Sequence, residues 1–169
     1  ALGVLDKERI GGHGTNGDSP ILKILDWIPA MEKIRANTLY LGPVFQSEWH
    51  GYETLDYFTV DERLGTNEDL SALSSGLKSR GIALILDAVF NPVGRAHPIV
   101  RDAAERGEAS PYHSWMAGFN PGGPARDGLP FGYEGWKGHY NLVKLDTSNR
   151  EVRDYLIGAA LRWIDDFDI

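Results

Sequence analysis

The segment Ala83–Arg95, ALILDAVFNPVGR, constrains the fold of this chain more than any other. Leu84, Ile85, Leu86, Val89 and Phe90 make a near-continuous apolar run of strand length, the pattern of a parallel strand buried on both faces. Its C-terminal end carries Asp87, Asn91, Pro92 and Gly94. A carboxylate and a carboxamide there serve no packing purpose, and the C-terminal ends of parallel strands are where barrel folds build their sites.

The flanking sequence alternates strand and helix signals, so the chain reads as α/β. Thr38–Val44 reads as a strand. Asp18-Ser19-Pro20 signals a helix start; with Pro29 interrupting, a short turn over Ile21–Trp27 and a helix from Pro29 to about Ala36 are expected. Thr66 with Asp69 is a relative of the capping box, Leu70, Leu73 and Leu77 mark a buried helical face, and Gly81 ends that helix. Ile82–Phe90 is the next strand. Ser148 and Glu151 read as a capping box for a helix over 149–166, with Val152, Tyr155, Leu156, Ala159, Trp163 and Phe167 at helical spacing. Ala1–Leu5 reads as the tail of an earlier strand, followed by a glycine-rich loop.

Between about Val93 and His139 the composition shifts to Gly, Pro and aromatics with little periodicity, too long for an ordinary connection and so a functional loop or small subdomain. Trp115, Phe119, Phe131, Tyr133 and Trp136 there are open to two readings, a small core or a wall that stacks on sugar. His139, beside Tyr140-Asn141, is equally a ligand contact or a structural histidine. His13, His97 and His113 have no metal-like spacing and read as loop residues. Asp165, Asp166 and Asp168 read as a solvated helix end.

These blocks together resemble the alpha-amylase family of glycoside hydrolases. Asp87 and Asn91 match its first signature, with Pro92 where a histidine is expected. Asn37–Ser47 is similar to its second barrel strand, His50–Leu70 to the following loop and helix start, and Gly138–Asp146 to the segment closing its inserted domain B. The neopullulanase, maltogenic amylase and cyclomaltodextrinase branch is the most similar. The resemblance implies a partial (β/α)8 TIM barrel, its first half up to the start of strand four. Residues 1–92 and 141–169 would belong to the barrel, and 93–140 to the insertion.

By the same resemblance Tyr52 would stack on sugar at the cleavage subsite, and Asp87 would organise its floor through an arginine on strand four. Tyr133, Trp136 and His139 are further candidate substrate contacts. Asn91 matches a residue that in many relatives gives an oxygen to calcium, although some members of this branch lack that site. The family's catalytic carboxylates follow strands four, five and seven, and none maps onto this chain; no catalytic residue is assigned. Proline offers neither a side-chain donor nor a backbone N–H, so Pro92 weakens recognition where the family uses histidine.

The implied activity of a longer parent is retaining cleavage or transfer at alpha-1,4 or alpha-1,6 linkages of alpha-glucans and maltooligosaccharides. The chain alone is expected to be inactive. Two alternatives stay open: a non-catalytic member used for sugar binding or assembly, and an excised half barrel.

At 169 residues the chain can bury a sizeable core but falls short of the roughly 250 residues of a complete barrel. Net charge −7 with mixed signs argues against a nucleic-acid partner. No apolar run reaches membrane-span length, and a soluble protein is expected, cytoplasmic or secreted. With no cysteine, disulfides and thiolate metal sites are excluded. An open half barrel would bare sheet edges and an apolar inner face, placed on Leu39, Leu41, Leu84 and Leu86 or their alternating neighbours. That predicts a homo-oligomer or a complementing C-terminal half.

Overall fold

The computed structural model describes residues 19–169; the expected first strand tail and glycine-rich loop lie outside them. Ser19 precedes a 3-10 helix, Pro20–Trp27, which runs into α1 (Ile28–Lys33). The sequence expectation of a turn and then a helix from Pro29 is close, but the helical path is continuous from Pro20. The chain then passes through β1 (Thr38–Leu41), crosses over by α2 (Asn67–Lys78) and returns as β2 (Ala83–Leu86), parallel to β1 with Leu41 opposite Leu86.

The crossover is specified locally. Thr66 Oγ1 accepts from the Asp69 N–H at 3.2 Å while Asp69 accepts from the Thr66 N–H at 3.0 Å, a reciprocal capping box. Leu70, Leu73 and Leu77 are fully buried, each contributing about 1.5–3 kcal/mol of hydrophobic stabilisation.

The strands are buried on one face, not two. Leu39, Leu41, Leu84 and Leu86 pack into the core, whereas Tyr40 and Ile85, which alternate with them, are 56% and 49% exposed. The helices cover one face, and among the described residues nothing covers the other. The bare face is therefore the one carrying the alternating neighbours of the leucines. Both strands are also shorter than the runs suggest, ending where Asp87 and Gly42 begin the site-forming loops.

The last helix, α4 (Arg150–Phe167), starts one residue later than the Ser148–Glu151 pattern predicts: Asn149 is the cap, accepting from the Glu151 N–H at 2.9 Å. Ser148 instead donates through Oγ to Asp146 Oδ1 at 2.6 Å, and this hydroxyl and its N–H hold the Asp146 carboxyl below its usual range. Val152, Leu156, Ala159, Trp163 and Phe167 face the core.

A second sheet lies between β2 and α4. Its strands β3 (Pro92–Gly94), β4 (Gly135–Trp136) and β5 (His139–Lys144) are antiparallel in the order β3-β5-β4. Pro92 is tolerated because β3 is an edge strand. Helix α3 (Pro98–Arg106) follows β3, and its cap is His97, whose ring accepts from the Ile99 N–H at 3.3 Å. His97 is thus a loop residue, as expected, but a buried one, 2% exposed, that caps the following helix. His113 likewise sits in a 3-10 turn, with Nδ1 2.7 Å from the Ser110 carbonyl oxygen.

Candidate functional site

A cavity of about 600 Å³ opens at the C-terminal ends of the parallel strands, and three segments build it. The first is the turn after β2, Asp87–Pro92. The Asp87 N–H donates to the Leu41 carbonyl at 3.0 Å, which fixes this residue across the ends of both strands.

The second wall is the hairpin after β1. Backbone bonds from Gln46 to Thr59, Leu55 to Gln46 and Asp61 to Val44, with bridges at Phe45–Val60 and Ser47–Thr54, make it a ribbon whose tip carries His50, Tyr52 and Glu53. Gly51 at the tip has φ +114°, and a Cβ there would lie 2.7 Å from Pro43 Cβ, so only glycine fits. The ribbon is clamped at its base by Arg63, whose Nε and Nη2 each reach a different oxygen of the fully buried Asp61 at 2.7 Å. Hydrogen bonding to Asp61 is the main cause raising the Arg63 pKa.

The third wall is the β4–β5 hairpin. Lys137 and Gly138 both have positive φ, the requirement of a two-residue turn that matches strand twist. The turn sets Trp136 opposite His139, both at the cavity, with Asn141 and Leu142 further along β5. Lys137 Nζ lies 4.7 Å from the Trp136 ring centroid.

Of the candidates named from sequence, Tyr52, Asp87, Asn91, Trp136 and His139 meet at this one cavity, together with Pro92. Tyr133 does not. It is 5% exposed, packs against Phe131 and Tyr140, and donates its hydroxyl to the Tyr140 carbonyl at 2.5 Å. Burial pushes its phenol up to about 12. Trp115 and Phe131 are also interior, so the insert's aromatics divide into a small core and, at Trp136, a cavity wall. Sequence reasoning missed His50, Glu53 and Asn141 as site builders; the only local signal was the placement of His50 and Glu53 on either side of Gly51-Tyr52.

Asp87 faces two phenols. Hydrogen bonding to Asp87 is the first cause raising the Tyr40 pKa, and burial followed by the Asp87 charge raises that of Tyr52. Among the described residues Asp87 is the one carboxylate lining the cavity. A half-exposed tyrosine and a tryptophan offer apolar faces for a sugar ring, and Asp87, Asn91 and His139 offer polar groups for its hydroxyls. Retaining glycoside cleavage needs two carboxylates about 5 Å apart, and this wall supplies no such pair.

Calcium takes six to eight oxygens. The Asn91 side-chain oxygen is buried with no hydrogen-bond partner, which suits one ligand position. No group of three or more His, Cys, Asp or Glu able to hold a metal occurs among the described residues. Among the described residues one amide oxygen does not make a calcium cage.

Residues 15–169 match the family model described as alpha amylase, catalytic domain. The chain belongs to the alpha-amylase family. The intracellular maltogenic amylase of Bacillus subtilis strain 168 is 37% identical over 147 residues, 86% of this chain and 24% of that protein. Neopullulanase 2 of Thermoactinomyces vulgaris is 33% identical, over 84% of this chain and 24% of its own length. Among solved structures, the cyclic alpha-maltosyl-(1→6)-maltose hydrolase of Arthrobacter globiformis superposes with a TM-score of 0.79 at 35% identity, over 86% of this chain and 33% of that one. The type III pullulan hydrolase of Thermococcus kodakarensis gives 0.78 at 36% identity, over 87% and 26%. The chain thus spans about a quarter of the length of the curated alpha-amylase family relatives it matches. No helix of the described residues is long and apolar enough to cross a membrane.

Proposed function

We propose that this chain is the substrate-binding portion of an alpha-glucan-active glycoside hydrolase, a partial (β/α)8 barrel with a domain B-like insertion. Residues 1–92 and 141–169 form the barrel part on this reading, and 93–140 the insertion. The observation that carries the proposal is the convergence of Tyr52, Asp87, Trp136 and His139, from three separate segments, on one cavity at the strand ends. The names of the relatives, amylases and maltose or pullulan hydrolases, support a maltooligosaccharide as the ligand.

Tyr52 and Trp136 would bind the sugar faces, and Asp87 would accept from its hydroxyls. The carboxylates that protonate the leaving group and capture the glycosyl unit would come from outside these 169 residues, so the chain alone binds without cleaving. The purified chain, its mass verified, should release no reducing ends from maltooligosaccharides or cyclodextrins above a mock-purified control. A polypeptide extended through the segments after strands four, five and seven should hydrolyse them with retention. Turnover by the 169-residue chain itself would contradict the division of labour. Its failure to appear in the extended form would favour a non-catalytic sugar-binding member.

A further inference from the structure

Glu53 is a buried carboxylate, 2% exposed, yet it lies at the tip of a surface hairpin. Burying a carboxylate is costly unless its oxygens are used. Oε1 is used twice: His50 Nε2 lies 3.0 Å away, and the Asn141 side-chain amide donates to it at 3.3 Å. His50 belongs to the same hairpin, whereas Asn141 lies on β5, 88 positions along the chain. Both line the 600 Å³ cavity; Glu53 does not. It stands behind them, in an adjoining hollow of about 260 Å³ shared with Glu48 and Arg95.

Resting on the sugar-binding reading above, we propose that Glu53 is a positioning residue. Its carboxylate fixes the His50 ring and the Asn141 amide together, holding the β1 hairpin and the β5 wall in register around the sugar. With its Nε2 side held at Glu53, the His50 ring is fixed at the cavity wall, where its other nitrogen can meet a sugar hydroxyl. The Asn141 amide, one N–H committed to Glu53, is held with its other polar groups free to meet the same ligand. Two neighbouring contacts support the register role. Glu48 Oε1 accepts from the Ala96 N–H at 2.7 Å, and the Gly94 N–H donates to the Thr54 carbonyl at 2.9 Å, so the hairpin is tied to the start of the insert as well as to its end. Gly94 is required there, because a Cβ would lie 2.6 Å from Glu48 Oε1 and 2.9 Å from the Glu53 carbonyl oxygen.

Three substitutions separate positioning from charge. Glu53→Gln keeps an acceptor oxygen at the same reach without the charge. Glu53→Asp keeps the charge but withdraws the oxygens by a methylene. Glu53→Leu removes both. Positioning predicts maltotriose affinity within about threefold of wild type for Glu53→Gln and about tenfold weaker for Glu53→Asp and Glu53→Leu, the worth of one or two lost hydrogen bonds. Affinity retained by Glu53→Asp and lost in Glu53→Gln would overturn it in favour of a purely electrostatic role.

A second readout needs no sugar. In 15N-labelled unliganded protein the His50 Nε2–H should be protected from solvent exchange in wild type and Glu53→Gln, and averaged away in Glu53→Asp. An Nε2–H equally unprotected in wild type and Glu53→Asp would overturn the positioning role even if maltotriose binds. Protection without maltotriose binding would uphold it and count against the sugar-binding reading instead.

Discussion

The Trp163 indole N–H donates to the Tyr57 carbonyl at 2.7 Å, a buried bond that joins α4 to the hairpin after β1 across 106 positions of sequence. The same ring stacks on Phe45, with centroids 4.4 Å apart and planes 13° from parallel. Tyr57 in turn donates its hydroxyl to the Val89 carbonyl at 2.8 Å, on the turn that carries Asp87 and Asn91. Helix, hairpin and strand-end turn are therefore held by one aromatic cluster beneath the cavity. Trp163→Ala should cost about 3–5 kcal/mol, the range for deleting a large buried aromatic. Trp163→Phe keeps the stack and leaves the carbonyl unpaired, costing about 1–3 kcal/mol. Urea denaturation would check both; no loss in Trp163→Phe would mean that the hydrogen bond contributes little, and equal losses that the stack does.

His97 gives the fold a pH dependence. Burial lowers its ring from the usual 6.5 to about 4, with the Asp56 charge opposing. Because the folded pKa is the lower one, the unfolded chain binds an extra proton between pH 6.5 and about 4. Stability from this residue is full above 6.5 and declines as pH falls through that window, by on the order of 3 kcal/mol in all. Asparagine is a good helix cap, so His97→Asn should retain α3 while flattening the stability–pH curve by one proton. An unchanged slope in unfolding titrations would contradict the assignment.

Among the described residues the β1–β2 sheet leaves one face bare at Tyr40 and Ile85, and α4 exposes Ile157, Leu161 and Ile164. Exposed apolar surface of this kind recruits a partner. The chain alone is expected to self-associate at micromolar concentration in light scattering, and Ile85→Lys to shift it toward monomer. A wild-type monomer would show that this face is tolerated bare.

Pro92 lines the cavity, at the position where the resemblance to the family's first signature leads one to expect a histidine. In a polypeptide that includes the catalytic carboxylates, Pro92→His should raise kcat/KM by up to about tenfold, the worth of one hydrogen bond to substrate. Equal or slower turnover would mark Pro92 as an adapted residue.

How far the sequence reached depended on whether a feature was local. The Thr66–Asp69 box and the Leu70, Leu73, Leu77 face sit within one turn or two, and both were legible. The one-faced burial of β2 was not, because Ala83, Leu84, Ile85 and Leu86 are all apolar and their alternation leaves no mark in composition. Tyr133 and Trp136 look alike in a glycine-rich stretch. Which one turns inward is set by the Lys137-Gly138 turn and the register of β5, a pairing that composition does not encode. Glu53, His50 and Asn141 join segments 88 positions apart, and no spacing rule connects them. The capping role of His97 was not legible, because capping by a ring nitrogen has no common sequence signature.

On the proposed reading, the cavity at Asp87 binds an alpha-glucan through Tyr52 and Trp136. Titration of the chain with maltotriose, followed by amide and indole resonances, tests it most directly. Binding there should give saturable shifts at Tyr52, Asp87, the Trp136 indole and His139, at least about tenfold weaker binding in Tyr52→Ala given the stacking area lost, and no response to cellotriose. Shifts absent at saturating maltotriose, or undiminished in Tyr52→Ala, would contradict it.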